Sequence, residues 1–230
     1  MKKHPTLKKV VIAVALLIAS LRTINAMAAG PISPVASVTA PVGTPLLPTG
    51  LTVMNGNAVL NQTGSNLKIT TSPNSVLDWQ KFSIGASNSV FFQQANAGSQ
   101  VLNRVTGQDP SYIMGSLGSN GRVWLLNPNG VLFGANARVD VGSLVASTLT
   151  MKLPDFLSGN YQLRANGSEP ANGLGVVNQG QISTPFGGQI VLAGSRVSNS
   201  GTLRAPGGNI ALLGTDAVDV TDTGLPYLSF

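Results

Sequence analysis

Side-chain catalysis needs nucleophiles, metal ligands or paired carboxylates held close together, and this sequence offers few of them. There is no cysteine, and the single histidine, His4, falls in an N-terminal stretch that reads as a removable leader. A catalytic triad, a Cys-His pair and a His-based zinc site are therefore ruled out for the remainder. Acid-base work on a glycosidic bond needs two carboxylates, and calcium needs several convergent oxygens. Glu169 is the one glutamate, in a Gly/Asn/Pro-rich loop, and Asp216, Asp219 and Asp222 form the one acidic cluster. Strand alternation places Asp216 and Asp222 on one face and Asp219 on the other, so a solvated last coil is the expected reading. No catalytic, cofactor-binding or metal-binding residue is expected, and no cofactor. Trp79, Trp124, Phe91, Phe92 and Phe133 could make a carbohydrate-stacking platform, but at strand positions they are expected to pack in the core or its cap.

The elements that carry these residues begin after the leader. Lys2, Lys3, Lys8 and Lys9 precede an apolar run from Val10 to Leu21. As a helix that run reaches roughly 18 Å against a hydrocarbon core of about 30 Å, too short to span but sufficient for a signal peptide. Ala26-Met27-Ala28 supplies a small-x-small site, so residues 1–28 are expected to be removed, with Ala29 the next choice for cleavage. Five of the fourteen basic residues leave with the leader, so nine then face eight acidic ones, a net charge of +1. The high isoelectric point thus belongs largely to the leader and argues for no nucleic-acid partner. An exported chain without cysteine must be held by burial and backbone pairing alone.

Residues 29–50 hold Pro31, Pro34, Pro41, Pro45 and Pro48 and read as an extended lead-in. From residue 51 to 230, short Val/Ile/Leu/Thr-rich segments alternate with Gly, Asn, Ser and Pro, which is the pattern of an all-β chain. One helical turn is expected around Pro154 to Leu157. An internal repeat decides the architecture. Val177 to Ile182 aligns with Ser198 to Leu203 at an offset of 21, and Gly187 to Gly194 aligns with Gly207 to Gly214 at an offset of 20. Pro185 and Pro206 are still 21 apart, so the slipped residue is Phe186. Such a period is one coil of a parallel β-helix. Ile190 over Ile210 and Leu192 over Leu212 should stack inward, and Asn178 over Asn199 should make an amide ladder.

Residues 120 to 134 place Asn127-Pro128-Asn129-Gly130 between two apolar segments. Pro128 pre-sets a turn, Asn129 and Gly130 tolerate positive φ, and the chain is expected to reverse there. The same stretch also belongs to a wider pattern. Asp78-Trp79-Gln80-Lys81-Phe82-Ser83-Ile84-Gly85, Leu102-Asn103-Arg104-Val105-Thr106-Gly107, Asn127-Pro128-Asn129-Gly130-Val131, Leu144 to Leu149 and Asp155 to Tyr161 together make the chain resemble the N-terminal secretion domain of filamentous-haemagglutinin-type, two-partner-secreted adhesins and haemolysins.

That resemblance implies a right-handed parallel β-helix with an N-terminal β cap and extra-helical hairpins. It further implies export through the periplasm of a Gram-negative bacterium and recognition by the periplasmic domains of an outer-membrane transporter. The product is a secreted or surface adhesin, and no enzyme. Asn127, Pro128, Asn129, Gly130, Asn103 and Arg104 match motifs tied to secretion. A separate Asn-Pro-Asn-Leu motif found in many members is absent, which places the chain with the branch that carries Asn103-Arg104-Val105. Members usually continue for many hundreds of residues, so contact with a host surface or glycan is expected downstream of Phe230. The domain itself is expected to be a monomer. The rival readings are a β-helical polysaccharide lyase or hydrolase, a stand-alone exported carbohydrate-binding protein, and an outer-membrane barrel; Gly224 and Pro226 interrupt the terminal strand that a barrel would need.

Overall fold

A computed structural model describes residues 47–167, 174–222 and 228–229. The leader, most of the lead-in and Glu169 lie outside them.

Three sheets wrap the chain into a parallel solenoid. The first holds Thr52–Asn55, Ser75–Trp79, Gln100–Val105, Arg122–Leu126, Ser143–Ser147, Ile190–Gly194 and Ile210–Gly214, stacked in chain order. The second holds Ser111–Ile113, Val131–Phe133, Val176–Asn178 and Val197–Asn199. The third runs from the hairpin Ala58–Thr63 and Asn66–Thr71 through Ser89–Gln93, Ser116–Ser119, Arg138–Asp140 and Gln181–Ser183 to Thr202–Arg204. A coil visits the second, third and first sheets in turn, and each strand pairs in parallel with its counterpart one coil on. Only the N-terminal end departs from this: Thr52–Asn55 and the 58–71 hairpin pair antiparallel and form the cap. A closed barrel with antiparallel neighbours is a different architecture, so the outer-membrane barrel is set aside.

The repeat appears in the register as the sequence spaced it. Asn178 pairs with Asn199 and Ile182 with Leu203, while Ile190 pairs with Ile210 and Leu192 with Leu212. One residue is therefore lost between the third and first sheets, at the corner where Phe186 projects into solvent. The Asn178 amide donates to Asn199 Oδ1 at 2.7 Å. Ile190 and Leu192 are sealed in the lumen, whereas Ile210 and Leu212 remain about half exposed, since among the described residues no further strand covers their coil.

Between its two end strands the first sheet is buried on both faces. Its inner face joins Leu77, Leu125, Leu144, Ile190 and Leu192 to the lumenal core. Its outer face carries Val76, Leu102, Trp124, Leu126 and Val145 into a second cluster with Phe156, Tyr161, Leu163, Val218 and Val220. These last come from the short helix Leu153–Leu157, where the expected turn lies, and from an antiparallel extra-helical sheet of Asn160–Arg164, Ala217–Asp222 and Leu228–Ser229. Trp124 packs 6.1 Å from Phe156 and 4.9 Å from Tyr161, centroid to centroid. Asp219 therefore sits on this extra-helical sheet, ion-paired to Arg164, and not on a last coil. The acidic cluster was misplaced because the 217–222 strand pairs with a partner far away in sequence, which no local repeat can announce.

Candidate functional site

Strand alternation splits Asn103 from Arg104. Asn103 lies in the column of Leu77 and Leu125 and points into the lumen, fully buried. Its Oδ1 accepts from Trp79 Nε1 at 3.0 Å, and its Nδ2 donates to the Trp124 carbonyl at 3.1 Å. Buried polar groups must be satisfied, and here the amide of one coil meets the indole of the coil before and the backbone of the coil after. Arg104 points outward and grips Asp78 in a two-point pair, Nε to Oδ1 at 2.7 Å and Nη2 to Oδ2 at 2.8 Å. Both are largely shielded, with side chains 22% and 15% exposed.

The Asn127-Pro128-Asn129-Gly130 segment turns a corner from the first sheet into the second, and does not reverse the chain. A parallel solenoid needs a bend between differently oriented sheets, whereas a reversal would pair the flanking strands antiparallel. Gly130 N donates to Asn127 O at 3.0 Å, closing the turn. Asn127 Oδ1 accepts from Asn129 N at 2.9 Å, an Asx turn that holds the corner from inside. Asn127 is fully buried, and its Nδ2 donates to the Asp109 carbonyl and to Ser111 Oγ, both at 3.0 Å. Asn129 Nδ2 donates to the Gly107 carbonyl at 2.8 Å. The corner is thus stitched to the 107–111 loop of the preceding coil. Positive φ falls on Gly130 alone, at 117°, and not on Asn129. A Cβ there would lie 2.6 Å from the Leu174 carbonyl oxygen.

Two of the six motif residues meet on the surface. Arg104 and Pro128 line one recess of about 320 Å³ on the outer side of the first sheet, together with Asp78, Leu126, Thr150 and Met151. Asn103 faces the lumen, and Asn127, Asn129 and Gly130 serve the corner. On the neighbouring loop Lys81 and Asp109 form an exposed ion pair at 2.7 Å. Burial, then the Asp109 charge, pushes the Tyr112 phenol above its usual range, so it stays neutral at physiological pH. Among the described residues no three His, Cys, Asp or Glu side chains converge as a metal site.

Asp78 belongs to this site, although nothing in its sequence motif singles it out. It lies 26 residues before Arg104, a coil longer than the 20 to 21 residues of the C-terminal repeat, so the repeat could not align them. Gln100 was also missed. Its Nε2 donates to Tyr161 Oη at 2.6 Å and to Asn74 Oδ1 at 3.0 Å, and its Oε1 accepts from Trp124 Nε1 at 3.2 Å. This network ties the first coils to the extra-helical sheet.

Comparisons with known proteins converge. The family model described as the TPS secretion domain matches residues 45–225. A heme/hemopexin-binding protein of Haemophilus influenzae is 32% identical over 188 residues, covering 80% of this chain and 19% of that protein. A second heme/hemopexin-binding protein from Haemophilus influenzae is 40% identical over 86 residues, 37% of this chain and 9% of its own length. The crystal structure of the HMW1 secretion domain from Haemophilus influenzae superposes with a TM-score of 0.72 at 31% identity, over 76% of this chain and 46% of that one. The chain therefore spans about a fifth of the first relative and under half of the solved domain.

Proposed function

The chain belongs to the TPS secretion domain family, matched over residues 45–225, and from that premise we propose that its outer-face recess at Arg104 and Pro128 is the surface read by a cognate outer-membrane transporter. A domain of this family targets a two-partner-secreted exoprotein for export, and its partner is that transporter. The finer reading is that the transporter's periplasmic domains engage a folded, monomeric domain that has crossed the inner membrane behind a cleaved leader. The domain performs no catalysis.

The observation that carries the reading is the convergence of Arg104 and Pro128. They come from two separate motif segments, and the solenoid sets them beside one recess with a mixed lining. A fixed ion pair rimmed by Leu126, Pro128 and Met151 offers both orientation and apolar contact, the combination that makes a binding surface selective. Asn103, Asn127, Asn129 and Gly130 act at one remove, by holding the coil and corner that shape it.

Binding of the secreted chain to the purified periplasmic domains of its transporter tests this. Asp78→Leu with Arg104→Met replaces the ion pair by apolar groups, a change that leaves the stability of shielded pairs near neutral. Binding should weaken at least about tenfold, roughly 1.4 kcal/mol. Undiminished binding by a folded variant places the contact elsewhere.

A further inference from the structure

Of the five aromatic residues that could form a stacking platform, Trp79, Trp124, Phe92 and Phe133 are fully buried. Phe91 is not: it is 39% exposed on the outer face of the third sheet, between the buried Val90 and Phe92. That face differs from the outer face of the first sheet, which the extra-helical sheet and helix cover. Along the solenoid axis Phe91 lies in register with Lys68 on one side and Gly118 on the other, and Gly118 in turn with Asp140. The ring leans over Gly118, where a Cβ would fall 2.7 Å from Phe91 Cδ2 and 3.7 Å from the Asp140 carbonyl oxygen. The missing side chain at Gly118 lets an aromatic surface lie low against the sheet. Lys68 and Asp140 are both exposed, and among the described residues neither has an ion-pair partner.

We propose that Phe91, flanked by Lys68 and Asp140, is a stacking platform for one pyranose ring of a neutral oligosaccharide. The apolar C–H face of a pyranose packs on an aromatic ring much as apolar side chains do. Its hydroxyls donate to a carboxylate and accept from an ammonium, and charged partners make the stronger hydrogen bonds. Flanking charges of opposite sign favour a neutral polyhydroxyl ligand over an anion or a cation. The site is distinct from the Arg104–Pro128 recess, which lies on the first sheet.

The test is a titration of the isotope-labelled secreted protein with a panel of neutral hexose and N-acetylhexosamine oligosaccharides at millimolar concentration, with sialylated and sulfated counterparts alongside. At least one neutral sugar should shift the amide signals of Lys68, Phe91, Gly118 and Asp140. Phe91→Ala should weaken its binding about tenfold, and Asp140→Asn should weaken it less, with the fold intact by amide spectrum. Mapping on the wild type stands even where Phe91→Ala loosens the sheet. The proposal is overturned if no neutral sugar binds, if the shifts map elsewhere, or if only the acidic sugars bind.

Discussion

Trp79 and Asn103, one coil apart, are joined inside the lumen by a hydrogen bond from the indole Nε1 to the side-chain oxygen at 3.0 Å. Both residues are completely buried. Asn103→Leu keeps the volume close but leaves the indole N–H without an acceptor, so it should destabilise the domain by about 1–3 kcal/mol. Asn103→Leu combined with Trp79→Phe removes donor and acceptor together and should recover part of that loss, less the cost of the smaller ring. Chemical denaturation of the two single variants and the double variant measures the coupling. A coupling near zero would show that Asn103 holds the coil by other means.

At the corner, the Asn127 amide makes bonds to Asp109, Ser111 and Asn129 from a fully buried position. Asn127→Ala should therefore cost roughly 2–4 kcal/mol, a sum of two or three such bonds. Gly130→Val combines positive φ with a clash against the Leu174 carbonyl and should cost at least as much. Thermal unfolding should show both variants lowered. An unchanged midpoint for Asn127→Ala would make it a recognition residue.

The register predicts a gradient along one lumenal column. Leu192 is fully buried between Ala146 and Leu212, and Leu212 is 46% exposed. Leu192→Asp buries an unpaired charge and should abolish the cooperative fold, a loss above about 4 kcal/mol. Leu212→Asp can hydrate its carboxylate and should cost about 1–2 kcal/mol. Circular dichroism of the two variants separates them, and equal losses would mean that the last coil is covered.

How much of this was legible in the sequence follows from where the contacts run. The C-terminal coils repeat at nearly constant length, so Asn178 over Asn199 and Leu192 over Leu212 could be placed by alignment alone. The earlier coils vary in length, which hid the pairing of Asp78 with Arg104. Alternation on a strand could assign opposite faces to Asn103 and Arg104 but not which face was inside, because the first sheet is buried on both sides. Asp219 on the extra-helical sheet and the Gln100 bond to Tyr161 depend on long-range docking that leaves no local period.

That docking is itself testable. Tyr161→Phe removes the acceptor of the Gln100 amide but keeps the ring against Trp124, so it should cost about 1 kcal/mol. Phe156→Ala empties a fully buried site in the same cluster and should cost about 3–5 kcal/mol. Hydrogen exchange should show the loss first in Asn160–Arg164 and only then in the coils. Uniform loss would mean that the extra-helical sheet and the solenoid open as one unit.

In the proposed function this domain directs export by presenting the Arg104–Pro128 recess to a transporter. The most direct measurement is the amount of protein released into the medium by cells with and without the cognate outer-membrane transporter, for the wild type and for the folded Asp78→Leu, Arg104→Met variant. Release of the wild type should depend on the transporter, and the variant should drop by about tenfold or more. Release that is independent of the transporter, or equal for the two proteins, would contradict it.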